Sequence, residues 1–215
     1  MNLDLYVITD EGLAGGRLKH AVMAERAVEG GAGVIQLRDK TCSLRDLVRT
    51  GREIGAITRC AGATFIVNDR FDVALACGAD GVHLGQGDLR CDTVRQIAPA
   101  GFIIGVSVGS VEEAVDAEQG GADYVALSPV FSTGSKEDAG PGQGLEILRA
   151  ICDSVRIPVI AIGGIGPDNA GSVIDAGAEG VAVISAVVSQ PDITAAARRL
   201  ADIVAARKQA RKSRN

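Results

Sequence analysis

Apolar and polar positions along this chain follow two alternating rhythms. Short apolar runs, rich in Val, Ile and Leu, recur at residues 3–9, 34–38, 64–68, 81–84, 102–107, 124–129, 158–163 and 180–185. Runs of this length, bounded by Gly, Asp and Pro, predict strands buried on both faces. Between them apolar residues return every three or four positions, as a helix with one buried stripe requires. Ala21, Ala24, Ala27 and Val28 form one predicted stripe; Leu44, Leu47, Val48 and Ile54 form another. Ser110 followed by Glu113 reads as a capping box opening the helix after the fifth strand.

A short phrase punctuates the pattern: Gly31-Ala32, Gly78-Ala79, Gly121-Ala122 and Gly177-Ala178 each precede a strand. Glycine just past a helix end is the usual left-handed stop, and the phrase recurs at close to two strand–helix units. Eight strands alternating with helices predict an α/β fold, a (β/α)8 barrel in one domain over residues 1–205. Residues 206–215 are expected to be a basic, frayed tail. An open doubly wound sheet is the alternative; it would more naturally carry a GxGxxG turn after the first strand, which is absent.

Composition narrows the function. With 215 residues, 47% of them hydrophobic, the chain fits one well-packed domain. A net charge of −5 argues against a nucleic-acid surface, so any anion site must be a local basic cluster. Five cysteines stand singly, with no CxxC pair, and two histidines are too few for a His-rich metal site. These features, with a strand-like start and no apolar run long enough to span a membrane, predict a soluble, cytoplasmic protein without a leader. Its partners are expected to be small phosphorylated molecules, with no nucleic acid and no membrane; a homo-oligomer is allowed.

In such barrels chemistry collects where the strands end at their C-terminal side. The second strand ends in Gln36-Leu37-Arg38-Asp39-Lys40, whose alternation sends Gln36, Arg38 and Lys40 the same way. Arg38 offers a planar fork for phosphate oxygens and Lys40 a point charge. Asn68-Asp69 ends the third strand, and Asp88 follows the fourth. Two carboxylates without His or Cys nearby make a hard-oxygen site suited to Mg2+. Ser107 ends the fifth strand; Thr133-Gly134-Ser135-Lys136 follows the sixth, supplying two hydroxyls and a cation without P-loop spacing. The Gly-rich run 137–144 after it reads as a lid. Gly163-Gly164 and Ile184-Ser185 end the last two strands, where barrels often hold a phosphate with backbone N–H groups. Two anion sites are therefore expected, one with metal and one built of backbone amides. Arg38, Lys40, Lys136 and one Mg2+ outweigh Asp69 and Asp88 by about three positive charges, which suits a diphosphate monoester of about three negative ones.

These residues occur within phrases that resemble the thiamin-phosphate synthase family over almost the whole chain. The phrases are Tyr6-Val7-Ile8-Thr9-Asp10, the run from Gln36 to Lys40, Val67-Asn68-Asp69-Arg70 and the run from Gly78 to Asp88. Further on come Gly105-Val106-Ser107, Ser128-Pro129-Val130-Phe131, the run from Thr133 to Lys136, and Ala161-Ile162-Gly163-Gly164-Ile165. Their order and spacing are the specific part. The resemblance implies that a hydroxymethylpyrimidine diphosphate loses diphosphate to leave a pyrimidine-stabilised carbocation, which the ring nitrogen of a thiazole phosphate attacks. It implies that Gln36, Arg38, Lys40, Asn68, Ser107 and Lys136 hold the pyrimidine diphosphate, with Lys136, Ser107 and Arg38 catalytic. Asp69 and Asp88 would bind Mg2+, and Thr133, Ser135, Gly164, Ile184 and Ser185 the thiazole phosphate.

This chain departs from the family pattern at Gly109, where many relatives carry His, at Asp39 for the commoner Glu, and at Ser135 for Thr. A thiazole tautomerase and a ligand-sensing barrel stay open as alternatives. The first needs an acid–base residue such as His, yet His83 lies inside a strand and reads as packed or hydrogen-bonded. The second need not keep both carboxylates and Lys136.

Overall fold

The computed structural model describes residues 1–16, 18–135 and 141–213. Eight parallel strands close in sequence order: β1 (Leu5–Thr9), β2 (Val34–Leu37), β3 (Thr64–Asn68), β4 (Gly81–Leu84), β5 (Ile103–Val108), β6 (Tyr124–Leu127), β7 (Val159–Ile162) and β8 (Gly180–Val183). The pairing of β8 back onto β1, with Tyr6 beside Ala182, closes the barrel and removes the open-sheet alternative. Every predicted run carries its strand, with ends shifted by at most two residues.

The helices are α1 (His20–Glu29), α2 (Leu44–Ala61), α3 (Phe71–Cys77), α4 (Cys91–Ile97), α5 (Val111–Gln119), α6 (Gly144–Ser154), α7 (Ala170–Asp175), a short α8 (Ser185–Val188) and α9 (Ile193–Lys212). The Gly-Ala phrase ends α1, α3, α5 and α7 as expected. Gly31, Gly78, Gly121 and Gly177 all have positive φ, and each following Ala donates its N–H to a carbonyl five residues back. Carboxylates just beyond two of these stops fasten the lower rim: Asp80 accepts from Phe65 N at 2.7 Å and Asp123 from Ile104 N at 2.7 Å.

Three local expectations are corrected. The buried stripe of α2 is Leu47, Gly51, Ile54, Gly55 and Thr58, while Leu44 is exposed. Glycines belong to it because α3 lies so close that a Cβ on Gly51 would come within 2.8 Å of Cys77 Sγ. On α1 the buried positions are His20, Met23, Ala24 and Ala27, displaced from the predicted set because the polar His20 is buried and Ala21 and Val28 lie at the margin. The tail expected to fray from 206 is helical to Lys212. Its cations are tied to the barrel: Lys208 pairs with Asp4 at 2.6 Å and with Glu179, and Arg207 with Asp175 at 3.2 Å. Among the described residues no helix is long and apolar enough to cross a membrane.

Candidate active site

Two cavities open side by side at the C-terminal end of the barrel, sharing Ser128. One, of about 520 Å³, gathers residues from the ends of β2 to β6; the other, of about 390 Å³, lies over β7 and β8 and the loop after β6.

Arg38, Lys40, Asn68, Asp69, Asp88 and Ser107 all line the larger cavity. Arg38 is largely buried and its Nη1 meets Asp10 Oδ2 at 2.5 Å. Asp10 also accepts from Leu13 N at 3.0 Å, so the loop after β1 fixes the guanidinium. Asp10 sits in the first family phrase, yet its role was not legible without the fold, because its partner lies 28 residues on.

Asp69 has φ of 60°, which is unusual for a residue with a Cβ but tolerable for a short polar side chain. Asn68 O accepts from Arg70 N at 2.6 Å, closing a tight turn around it. Strain of this kind persists where the surroundings over-determine the backbone, often at functional sites. Burial, together with the negative charge of Asp88, raises the Asp69 carboxyl to about 6, against the opposing pull of Lys40 and Arg38. A buried carboxylate whose proton affinity is raised by a facing one forms a site that a cation relieves. Among the described residues no group of three or more His, Cys, Asp or Glu could hold a metal. The pair therefore suits an ion that takes one or two carboxylates and completes its shell with waters and substrate oxygens, as Mg2+ does. Asp88 is itself held by Gly85 N at 2.7 Å.

Gln36 is placed differently: it is buried beneath the larger cavity and donates from Nε2 to Tyr6 Oη at 2.7 Å. Lys136 and residues 137–140 of the predicted lid lie outside the described residues. Residues that the sequence did not mark as site residues also line this cavity. Gln86 Nε2 donates to Ser107 O at 2.8 Å, and Glu113 Oε2 accepts from Gly109 N at 2.7 Å. The Ser110 cap of α5 forms, with Glu113 N donating to its Oγ at 3.2 Å; the reciprocal arm serves Gly109 rather than Ser110.

The smaller cavity is lined by Thr133, Ser135, Gly164, Ile184 and Ser185. Ser135 Oγ and Ser185 Oγ lie 3.0 Å apart, and Ser135 N donates to Thr133 Oγ1 at 3.1 Å, so the loop after β6 folds over the end of β8. Gly164 has φ of +62°, and a Cβ there would come within 2.7 Å of Ser132 O; no other residue type fits without displacing that loop. Asn169 fixes the turn by donating to Gly164 O and accepting from Gly166 N, both at 2.8 Å.

Neither histidine is poised as a free acid or base. His20 is bonded to Thr9 and faces Asp39, and His83 is bonded to Tyr124 and Ser107.

A family model described as thiamine monophosphate synthase matches residues 5–187. The thiamine-phosphate synthase of Methanoregula boonei is 62% identical over 216 residues, covering 100% of both chains. That of Methanocella arvoryzae is 58% identical, covering 95% of this chain and 96% of its own. Among solved structures, thiamine phosphate pyrophosphorylase from Pyrococcus furiosus matches with a TM-score of 0.89 at 46% identity, over 96% of this chain and 97% of that one. With the family model, full-length identity and fold in agreement, the chain belongs to the thiamine monophosphate synthase family.

Proposed function

We propose that this chain catalyses thiamin phosphate formation by joining a hydroxymethylpyrimidine diphosphate to a thiazole phosphate, with Mg2+ at the diphosphate. The observation that carries the reading is the pairing of the two cavities across Ser128. One is lined by cations and a carboxylate pair, the other by hydroxyls and close-packed glycines.

In this reading Arg38, Lys40, Asn68, Ser107 and Lys136 hold the diphosphate, and Gln36 meets the pyrimidine from below. Asp69 and Asp88 hold Mg2+, which when bound supplies positive charge to the leaving diphosphate. As the bond from the pyrimidine methylene carbon to oxygen breaks, its electron pair leaves with the diphosphate. Fixed donors already aimed at those oxygens stabilise the developing charge without reorganising. Thr133, Ser135, Gly164, Ile184 and Ser185 hold the thiazole phosphate so that its ring nitrogen faces the carbocation. The nitrogen lone pair then forms the new C–N bond. Proximity is the second source of rate, since both partners are gathered before the reactive cation exists. Phosphorylated substrates and five unpaired thiols fit a cytoplasmic enzyme.

Steady-state kinetics with each substrate varied in turn tests the two-site assignment. Ser185→Ala is expected to raise KM for the thiazole phosphate about tenfold with little change for the pyrimidine diphosphate; Lys40→Ala is expected to do the opposite. Equal effects of both variants on both substrates would contradict the assignment.

A further inference from the structure

A chain of hydrogen bonds crosses the barrel interior beneath the larger cavity. Gln36 Nε2 on β2 donates to Tyr6 Oη on β1 at 2.7 Å, and Tyr6 Oη lies 3.0 Å from Tyr124 Oη on β6. Tyr124 Oη is 3.0 Å from His83 Nδ1 on β4, and His83 Nε2 is 2.9 Å from Ser107 Oγ on β5. β1 pairs with β2 and β8, so a bond from β1 to β6 has only the interior to cross. The imidazole also stacks on the Tyr124 ring, with centroids 5.6 Å apart. Gly105 makes room for that ring: a Cβ there would lie 2.0 Å from Tyr124 Cζ and 2.3 Å from its hydroxyl.

The chain has a direction. Both phenols are fully buried, and burial pushes each well above its ordinary range, so both keep their protons. Tyr6 accepts from Gln36. If it also accepted from Tyr124, its own hydroxyl hydrogen would be buried with no acceptor among the described residues. Tyr6 therefore donates to Tyr124, and Tyr124 donates to His83 Nδ1. That leaves the imidazole proton on Nε2, where it is donated to Ser107 Oγ. With its oxygen accepting from His83, Ser107 is left to donate its own proton toward the cavity.

We propose that Tyr6, Tyr124 and His83 are positioning residues, forming a one-way relay from Gln36 that turns the Ser107 hydroxyl proton toward the substrate diphosphate. The relay rests on the proposed placement of the diphosphate beside Ser107. It links the residue beneath the pyrimidine to a donor on the leaving group, so that one rigid network serves both ends of the substrate. Apolar residues would fill the same interior without a preferred direction. The relay is the reason to retain five polar side chains there, each bonded to the next.

Two measurements test this. With two histidines in the chain, nitrogen-15 NMR of the full-length, histidine-labelled protein resolves both rings, and His83→Gln assigns them. The proposal requires His83 to be neutral with its proton on Nε2; a proton on Nδ1 would overturn it, because Ser107 would then donate inward. This readout uses the unmodified protein and holds whether or not the proposed reaction is found. The second is a double-mutant cycle in kcat. Tyr124→Phe is expected to lower kcat about tenfold with little change in KM for the thiazole phosphate, and to have no further effect in a Ser107→Ala background. Multiplicative losses in the double variant would mean that Tyr124 acts independently of Ser107, and would refute the relay.

Discussion

Asp69→Asn is expected to weaken the proposed Mg2+ site by about a hundredfold, read as the Mg2+ concentration giving half-maximal rate. In EDTA the same variant is expected to be more stable than the unmodified protein at pH 7–8. Both effects share one cause. Burial and the facing Asp88 carboxylate make an ionised Asp69 unfavourable, a penalty that a bound cation would relieve. The carboxyl is raised from 3.8 to about 6 in the fold, so it binds protons more tightly folded than unfolded. Its ionisation therefore destabilises the fold fully above about pH 6, and the penalty vanishes as pH falls below about 4. Asn cannot ionise, keeps the shape and tolerates the positive φ. After discounting for partial exposure the gain is about 1 kcal/mol, measured by thermal unfolding at pH 7.5 and absent at pH 4. Asp88→Asn removes the repulsion from the other side and is expected to shift the Mg2+ dependence likewise. Unchanged Mg2+ dependence in both variants would sink the metal assignment.

Lys136→Ala is expected to reduce kcat by about a hundred- to a thousandfold while changing stability by no more than about 0.5 kcal/mol. Its charge is assigned to the departing diphosphate, so it contributes most when that charge has developed. Stability should hardly change because Lys136 stands in a run from Ser132 to Gln143 that offers almost no apolar surface to bury. Single-turnover rates and thermal unfolding, measured on the same preparation, separate the two effects. Near-normal turnover would remove Lys136 from that role.

How much of this was legible in the chain depends on distance along it. The eight strands were, because each is a short apolar run with its stop signal a few residues away. Arg38, Lys40, Asn68, Asp69, Asp88 and Ser107 at one cavity, and Gly164, Ile184 and Ser185 at the other, were legible as well, because barrel topology carries every strand end to the same rim; Gln86 and Glu113, which lie beyond the strand ends, were not. The α2 stripe was misplaced by one turn: glycine carries no hydropathy signal, and only the packing of Cys77 against Gly51 shows that it faces inward. The helical tail was not legible because its cations find partners at Asp4, Asp175 and Glu179, which a local charge count treats as unrelated. The relay was hidden for the same reason. Alternation shows that Tyr6, Gln36, His83, Ser107 and Tyr124 can face inward, but not that they touch. His83, expected to be packed or hydrogen-bonded, has a bond at each nitrogen.

The central claim is that the paired cavities join two phosphorylated substrates in a metal-dependent reaction. Incubating the protein with the pyrimidine diphosphate and the thiazole phosphate, with Mg2+ and then with EDTA, tests it most directly. The account predicts thiamin phosphate and free diphosphate in equal amounts with Mg2+, and neither with EDTA. A folded protein that binds the thiazole phosphate but forms no thiamin phosphate under either condition would contradict it, and would favour a tautomerase or a ligand sensor on the same barrel.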